Sequence, residues 1–256
     1  MRIGRIEVGG RVVAAVVEGD VFRVLGDEGP TGETVARSAA RLLAPVEPRQ
    51  VILIGLNYAA HAAETGMAPP EAPVVLAKTP NAVVGPDEAI VLPKMAPEEV
   101  DYEAELVIVI GREAKNVPAD EALDYVLGYT CGNDVSARDC QFKLDKQWAR
   151  AKSFDTFAPI GPWIETDLDP ADVAVRCVLN GEVMQESRTS DMVFSCRELV
   201  SYLSRCMTLW PGSVIFTGTP PGVGFTREPP VFLREGDRVT VEVEGIGSLS
   251  NPVVRE

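Results

Sequence analysis

Histidine is all but missing: His61 is the only one in 256 residues. Any imidazole chemistry in this chain therefore happens at that position. Positive charge is also scarce, with 24 Lys and Arg against 38 Asp and Glu, a formal net charge of −14. Such a surface repels phosphate backbones and anionic lipids, which excludes nucleic acid and membrane surfaces as partners. A small anionic substrate needs a local positive spot, either a few placed cations or a bound metal ion. No stretch approaches the roughly 18 apolar residues of a membrane helix, and "MRIGRIEVGG" lacks the apolar core of a signal peptide, so the expected location is the cytoplasm. The five cysteines are odd in number and form no CxxC pair, which excludes a disulfide framework and a zinc knuckle. They read as small core residues.

What the chain does have is 46% hydrophobic residues, enough to fill a sizeable core. Residues 1–48 alternate in short bursts around Gly-Gly and Gly-Asp turns and predict a small N-terminal β domain, ending in a short amphipathic piece, "GETVARSAARLLAP". From 49 to 256 the pattern predicts apolar strands: "VILIG", "VVLAK", "ELVIVIG", "PIGPWI", "SVIFTG" and "DRVTVEVEGIG". Asn180-Gly181 signals a type I′ hairpin. Helices are expected at 119–128 and from 195, where Ser195 and Glu198 form a capping box. The fold class is a strand-dominated α+β chain, without regular strand–helix alternation and without repeats.

Two polar patterns carry chemistry. "EEVDYEAELVIVIG" sets Glu99, Asp101, Glu103 and Glu105 at spacing two, which in extended chain puts them on one face. That is either a solvated strand end or a site where carboxylates hold Mg²⁺ or Mn²⁺, given a third oxygen ligand from elsewhere. Asp134, in "YTCGNDVSARDCQ", stands where a strand ends and is either that ligand or an N-cap. Arg138 and Gln141 follow on its helical face. The second pattern is His61 with Glu64, three residues apart in "GLNYAAHAAETG" and bracketed by Gly55 and Gly66 as candidate hinges. On a helical turn the carboxylate orients the imidazole, and the pair can take a proton from water; the bland alternative is an exposed helix with an incidental histidine. Lys152 is a candidate cation or a surface lysine, and "FTGTPPGVG" either brings backbone N–H groups to a carboxylate or simply turns.

Taken together, "GLNYAAHAAE", "VDYEAELVIVIG", "GNDVSARDCQ" with "WARAKSFDTFAPIGPW", and "PGSVIFTGTPPGVG" resemble, in order and spacing, the signature segments of the fumarylacetoacetate hydrolase family over about residues 50–254. The resemblance implies a mixed β-sandwich-like roll, commonly a homodimer, with one Mg²⁺ or Mn²⁺ per subunit. It implies Glu103, Glu105 and Asp134 as metal ligands. It puts Arg138, Gln141, Lys152, Gly218 and Thr219 around the substrate, with Asn57 and Tyr58 near the mouth. His61, Glu64 and Lys152 become the candidate catalytic residues. The expected reaction is metal-dependent cleavage of a carbon–carbon bond in a small 2-oxo acid, either hydrolysis of an acylpyruvate or fumarylpyruvate-type 1,3-diketo acid or decarboxylation of oxaloacetate, with the ion accepting enolate charge. Isomerisation of an unsaturated 2-hydroxydienedioate, as in aromatic degradation, is the alternative. A noncatalytic metal- or carboxylate-binding protein is the reading from another class. Acylpyruvase-like members often carry Arg where this chain has Leu56, which weakens that substrate assignment.

Overall fold

The computed structural model describes residues 1–96 and 98–256. Strands Arg2–Val8, Arg11–Glu18 and Val21–Gly26 form an antiparallel meander, and Gly29–Ala36 pairs on its outer edge. Period-two alternation gives this unit a small core of its own: Ile6, Ala15, Phe22, Val24 and Val35. Arg2–Val8 also pairs with Ala158–Glu165, so the N-terminal strands extend the main sheet. From that junction the sheet runs through Ala158–Glu165, Val126–Asn133, Ala104–Ile110, Val214–Phe216, Val51–Gly55 and Val74–Lys78. All seven residues of Ala104–Ile110 are buried, as the apolar run Leu106–Ile110 requires, and Glu105 is buried with them.

A second sheet, in the order Glu182–Arg188, Ala174–Leu179, Arg238–Val243, Gly247–Arg255 and Ile90–Leu92, packs over the first. Both sheets contribute to one apolar core, in which Leu106, Ile108, Val175 and Val241 are buried. Asn180 and Gly181 form the hairpin between Ala174–Leu179 and Glu182–Arg188, with φ of 52° and 87° as a type I′ turn demands. Helix Cys196–Cys206 starts at the expected capping box and buries Leu199, Val200 and Leu203. Four of the five cysteines are buried and all are free thiols. No helix among the described residues is long and apolar enough to cross a membrane.

Three local expectations give way to tertiary pairing. "GETVARSAARLLAP" is strand up to Ala36, one 3-10 turn at Arg37–Ala39 and strand again at Arg41–Leu43, because the meander and Arg2–Val8 offer open edges. The helix expected at 119–128 is a single turn, Ala122–Tyr125; from Val126 the chain is captured as a strand by Ala104–Ile110. Glu99, Asp101, Glu103 and Glu105 do not share one continuous strand face. Val100–Asp101 pairs with Ser136–Ala137, Ala104–Ile110 pairs elsewhere, and the pleat breaks at Tyr102 and Glu103.

Gly132 lies opposite Glu105 in the ladder, packed so closely that a Cβ there would sit 2.4 Å from Val107 Cγ2 and 2.6 Å from Phe216 Cε1. Gly132→Ala is expected to lower the unfolding free energy by about 1–3 kcal/mol, measured by urea denaturation.

Candidate active site

The pleat break and the end of Val126–Asn133 bring the acidic residues together. Ala104 pairs with Asn133, the Glu103 N–H donates to Asn133 Oδ1 at 3.0 Å, and the Asp134 N–H donates to Glu103 O at 2.9 Å. This lattice sets Glu103, Glu105 and Asp134 around one point, with one carboxylate oxygen from each within 4.8 Å of the others, all three buried. Asp134 caps no helix: Ser136–Ala137 follows it as strand, and the π-turn at Cys140–Leu144 is capped by Asp139.

Buried like charges need cations, and three are supplied. Lys152 Nζ bridges Glu103 Oε2 at 2.8 Å and Asp134 Oδ2 at 2.7 Å. Lys78 Nζ lies 2.7 Å from Asp134 Oδ1 and donates to the carbonyls of Val135 and Lys152. Arg138 spreads its guanidinium over Asp101, Glu103 and the Gln141 side-chain oxygen. Burial opposes ionisation of Glu103, yet Lys152 and Arg138 outweigh it and hold this carboxyl far below the usual range. Burial pushes the Lys78 ammonium down to about 8, against the pull of Asp134.

Glu105 is the exception. Among the described residues it has no cationic partner; its only donor is the Gly218 N–H, 2.7 Å from Oε2. Burial first, then Asp134 and Glu103, push its carboxyl well above the ordinary value. Gly218 reaches it with φ of 101°, and a Cβ there would lie 2.7 Å from Asn57 Cβ, so the position admits only glycine comfortably.

A cavity of about 240 Å³ opens over this acidic floor, lined also by His61, Arg138, Gln141, Lys152 and Thr219. His61 and Glu64 lie on the short helix Ala59–Glu64, with Nδ1 and Oε2 3.1 Å apart. Glu64 Oε1 accepts from the Gly222 N–H at 2.9 Å and the Thr226 hydroxyl at 2.8 Å, which ties this helix to the Gly/Pro loop. The Thr219 hydroxyl donates to Ala104 O and accepts from Gln185 Nε2.

Asn57 and Tyr58 are not at the mouth. Both are fully buried and neither lines the cavity. Asn57 donates to Phe194 O and Thr217 O and accepts from the Phe194 N–H, which spends its amide on holding the chain behind the site. Gly218 meets Glu105 rather than lining the cavity. Lys78, Asp101 and Gln185 carry roles that spacing alone does not disclose. Asp101 accepts from Arg138 and from the Gly224 and Phe225 N–H groups; Gln185 joins the Ala104 N–H to Thr219 and Pro220. The readable signals among these are a lysine closing the apolar run "VVLAK" and the place of Asp101 in the acidic run.

Residues 50–254 match the fumarylacetoacetate hydrolase C-terminal family. The chain belongs to that family. Residues 1–45 match the Rv2993c-like N-terminal family. Protein Rv2993c of Mycobacterium tuberculosis is 46% identical, over 100% of this chain and 99% of its own length. The rat mitochondrial oxaloacetate tautomerase Fahd2a is 44% identical, covering 86% of this chain and 71% of that protein. A crystal structure of 5-carboxymethyl-2-hydroxymuconate delta-isomerase from Mycobacterium smegmatis superposes with a TM-score of 0.91 at 50% identity, covering 100% of this chain and 99% of that one.

The three carboxylates fit a divalent cation on their own chemistry. The donors are all hard oxygens, and Glu105, the carboxyl without a cationic partner among the described residues, faces the same point as Glu103 and Asp134. Glu105→Gln keeps an oxygen for the Gly218 N–H but removes the charge; it is expected to abolish Mn²⁺ binding in calorimetry without lowering the melting temperature of the metal-free protein. Arg138→Met leaves Asp101 and Glu103 buried without their shared partner. Urea denaturation is expected to register a loss of about 3–5 kcal/mol.

Proposed function

We propose that this protein relocates a proton next to the carbonyl of a small 2-oxo acid, interconverting keto and enol forms or shifting the adjacent double bond. Mg²⁺ or Mn²⁺ would be held by Glu103, Glu105 and Asp134. The observation that carries the reading is a single oriented imidazole lining the same cavity as that all-oxygen triad. The names of the rat tautomerase and the mycobacterial isomerase both denote redistribution of hydrogen and double bonds without cleavage.

A divalent ion bound here supplies positive charge that polarises the 2-oxo group and favours the enolate over the ketone. The chain's own residues do the rest. His61 has Nδ1 committed to Glu64, which leaves Nε2 to take the C3 proton and return it. Glu64, fixed by Gly222 and Thr226, keeps the ring from turning away. Lys152 adds a cation beside the carboxylates, and Arg138 holds Glu103 in place while Gln141 keeps its amide nitrogen available to a substrate oxygen.

Cleavage is the second reading, favoured by the same His61–Glu64 pair, which can equally take a proton from water so that the water oxygen attacks the distal carbonyl of an acylpyruvate and the carbon–carbon bond breaks to give a carboxylate and pyruvate. Deuterium exchange at C3 of phenylpyruvate and oxaloacetate, followed by NMR in D₂O, separates the two. Exchange is expected to be fast with Mg²⁺ or Mn²⁺, lost with EDTA and restored by adding the ion back. Release of pyruvate from an acylpyruvate, without catalysed exchange, would favour hydrolysis instead. His61→Ala is expected to slow exchange by about 10²–10⁴-fold while calorimetric Mn²⁺ affinity stays unchanged; equal losses in both would remove the imidazole from the proton transfer.

A further inference from the structure

Away from its acidic floor the cavity is apolar, walled by Leu56, Met67, Leu76, Phe142, Trp148 and Phe225. The rings are packed against each other: Phe142 meets Trp148 edge-on at 6.1 Å and Phe225 at 5.3 Å. Arg138 lies over the Phe225 ring at 4.4 Å, which fixes that ring from the charged side. Phe142 is nonetheless 49% exposed and Met67 48%. Two large apolar side chains thus stand in water at the mouth, where an apolar ligand group would cover them.

Among the described residues these walls carry no uncommitted cation for a second negative charge. Of the basic side chains that line the cavity, Lys152 is committed to Glu103 and Asp134, Arg138 to Asp101 and Glu103, and the His61 ring is turned by Nδ1 to Glu64. The nearby guanidiniums do not line it and are also engaged, Arg150 by Asp145 and Arg227 by the carbonyls of Met184 and Gly222. A carboxylate carried into the ring-lined half would lose its water and meet no partner.

We propose that the preferred substrate is a 2-oxo monocarboxylic acid whose substituent beyond C3 is uncharged and apolar, an alkyl or aryl group packed against Phe142, Trp148 and Phe225. This rests on the reading of the acidic end as the 2-oxo acid site. The shape of the cavity then divides the labour, with the head group chosen at the floor and the tail chosen at the walls.

Calorimetry on the full Mn²⁺-loaded chain tests this with three probes that share one chelating head: oxalate, N-benzyloxamate and N-oxalylglycine. Oxalate reports on the head-group site alone. N-Benzyloxamate is expected to bind about tenfold or more tightly than N-oxalylglycine, the return on covering one aromatic ring. Phe142→Ala should weaken N-benzyloxamate by a larger factor than it weakens oxalate, and Met67→Arg should raise the affinity for N-oxalylglycine. Equal or tighter binding of N-oxalylglycine by the unaltered chain, with oxalate bound normally, would overturn the tail assignment and leave the head-group reading standing. Failure of oxalate itself to bind would overturn both.

Discussion

Repulsion among buried carboxylates is the constraint on which this molecule is organised. Glu103, Glu105 and Asp134 converge out of water, with Asp101 close behind, and each would rather be protonated, paired or elsewhere. The fold answers with Lys78, Lys152 and Arg138, all buried, and with backbone N–H groups aimed at what the cations do not reach. Replacing such a cluster with hydrocarbon would usually stabilise a protein, so its retention is best understood as a functional cost. Compensation is incomplete: among the described residues no cation pairs with Glu105, and under the proposed function that gap is where a divalent ion would bind.

The sheet supplies the rigidity that such a cluster requires. Two central strands, Ala104–Ile110 buried throughout and Val126–Asn133 buried from Gly128 on, end side by side at Ala104 and Asn133 and deliver three acids from two separate segments. Close packing at Gly132 keeps the ladder tight directly beneath them. Gln185 reaches across from the second sheet to bind both the strand end and the loop at Thr219 and Pro220, so the two layers are locked together at the site itself. Where the chain must leave regular pairing, at Tyr102 and Glu103, Asn133 receives the freed N–H.

Much of this was legible from residues whose signal is local. The capping box at Ser195 and Glu198, the Asn180-Gly181 turn and the apolar run at 106–110 need no distant partner to declare themselves. The spacing of Glu103 and Glu105 hinted at a metal, the strand end at Asp134 offered either a third ligand or an N-cap, and the family resemblance favoured the ligand. The failures share one cause. Residues 119–128 have helical spacing, but an open strand edge outbids one turn of helix; Asn57 looks like a substrate contact but spends its amide on Phe194 and Thr217, 137 and 160 residues away. Lys78 and Gln185 were passed over for the same reason, since their partners are set by topology and not by neighbours in sequence.

The loop after Val214–Phe216 has one more property. Through the Gly218 N–H it grips Glu105 at the floor, and through the Gly222 N–H and the Thr226 hydroxyl it grips Glu64, the residue that steers the imidazole. The imidazole wall and the carboxylate floor of the cavity are therefore gauged from a single ruler. A displacement of that loop as a whole carries both ends along, so the spacing between the imidazole and the acidic floor is kept.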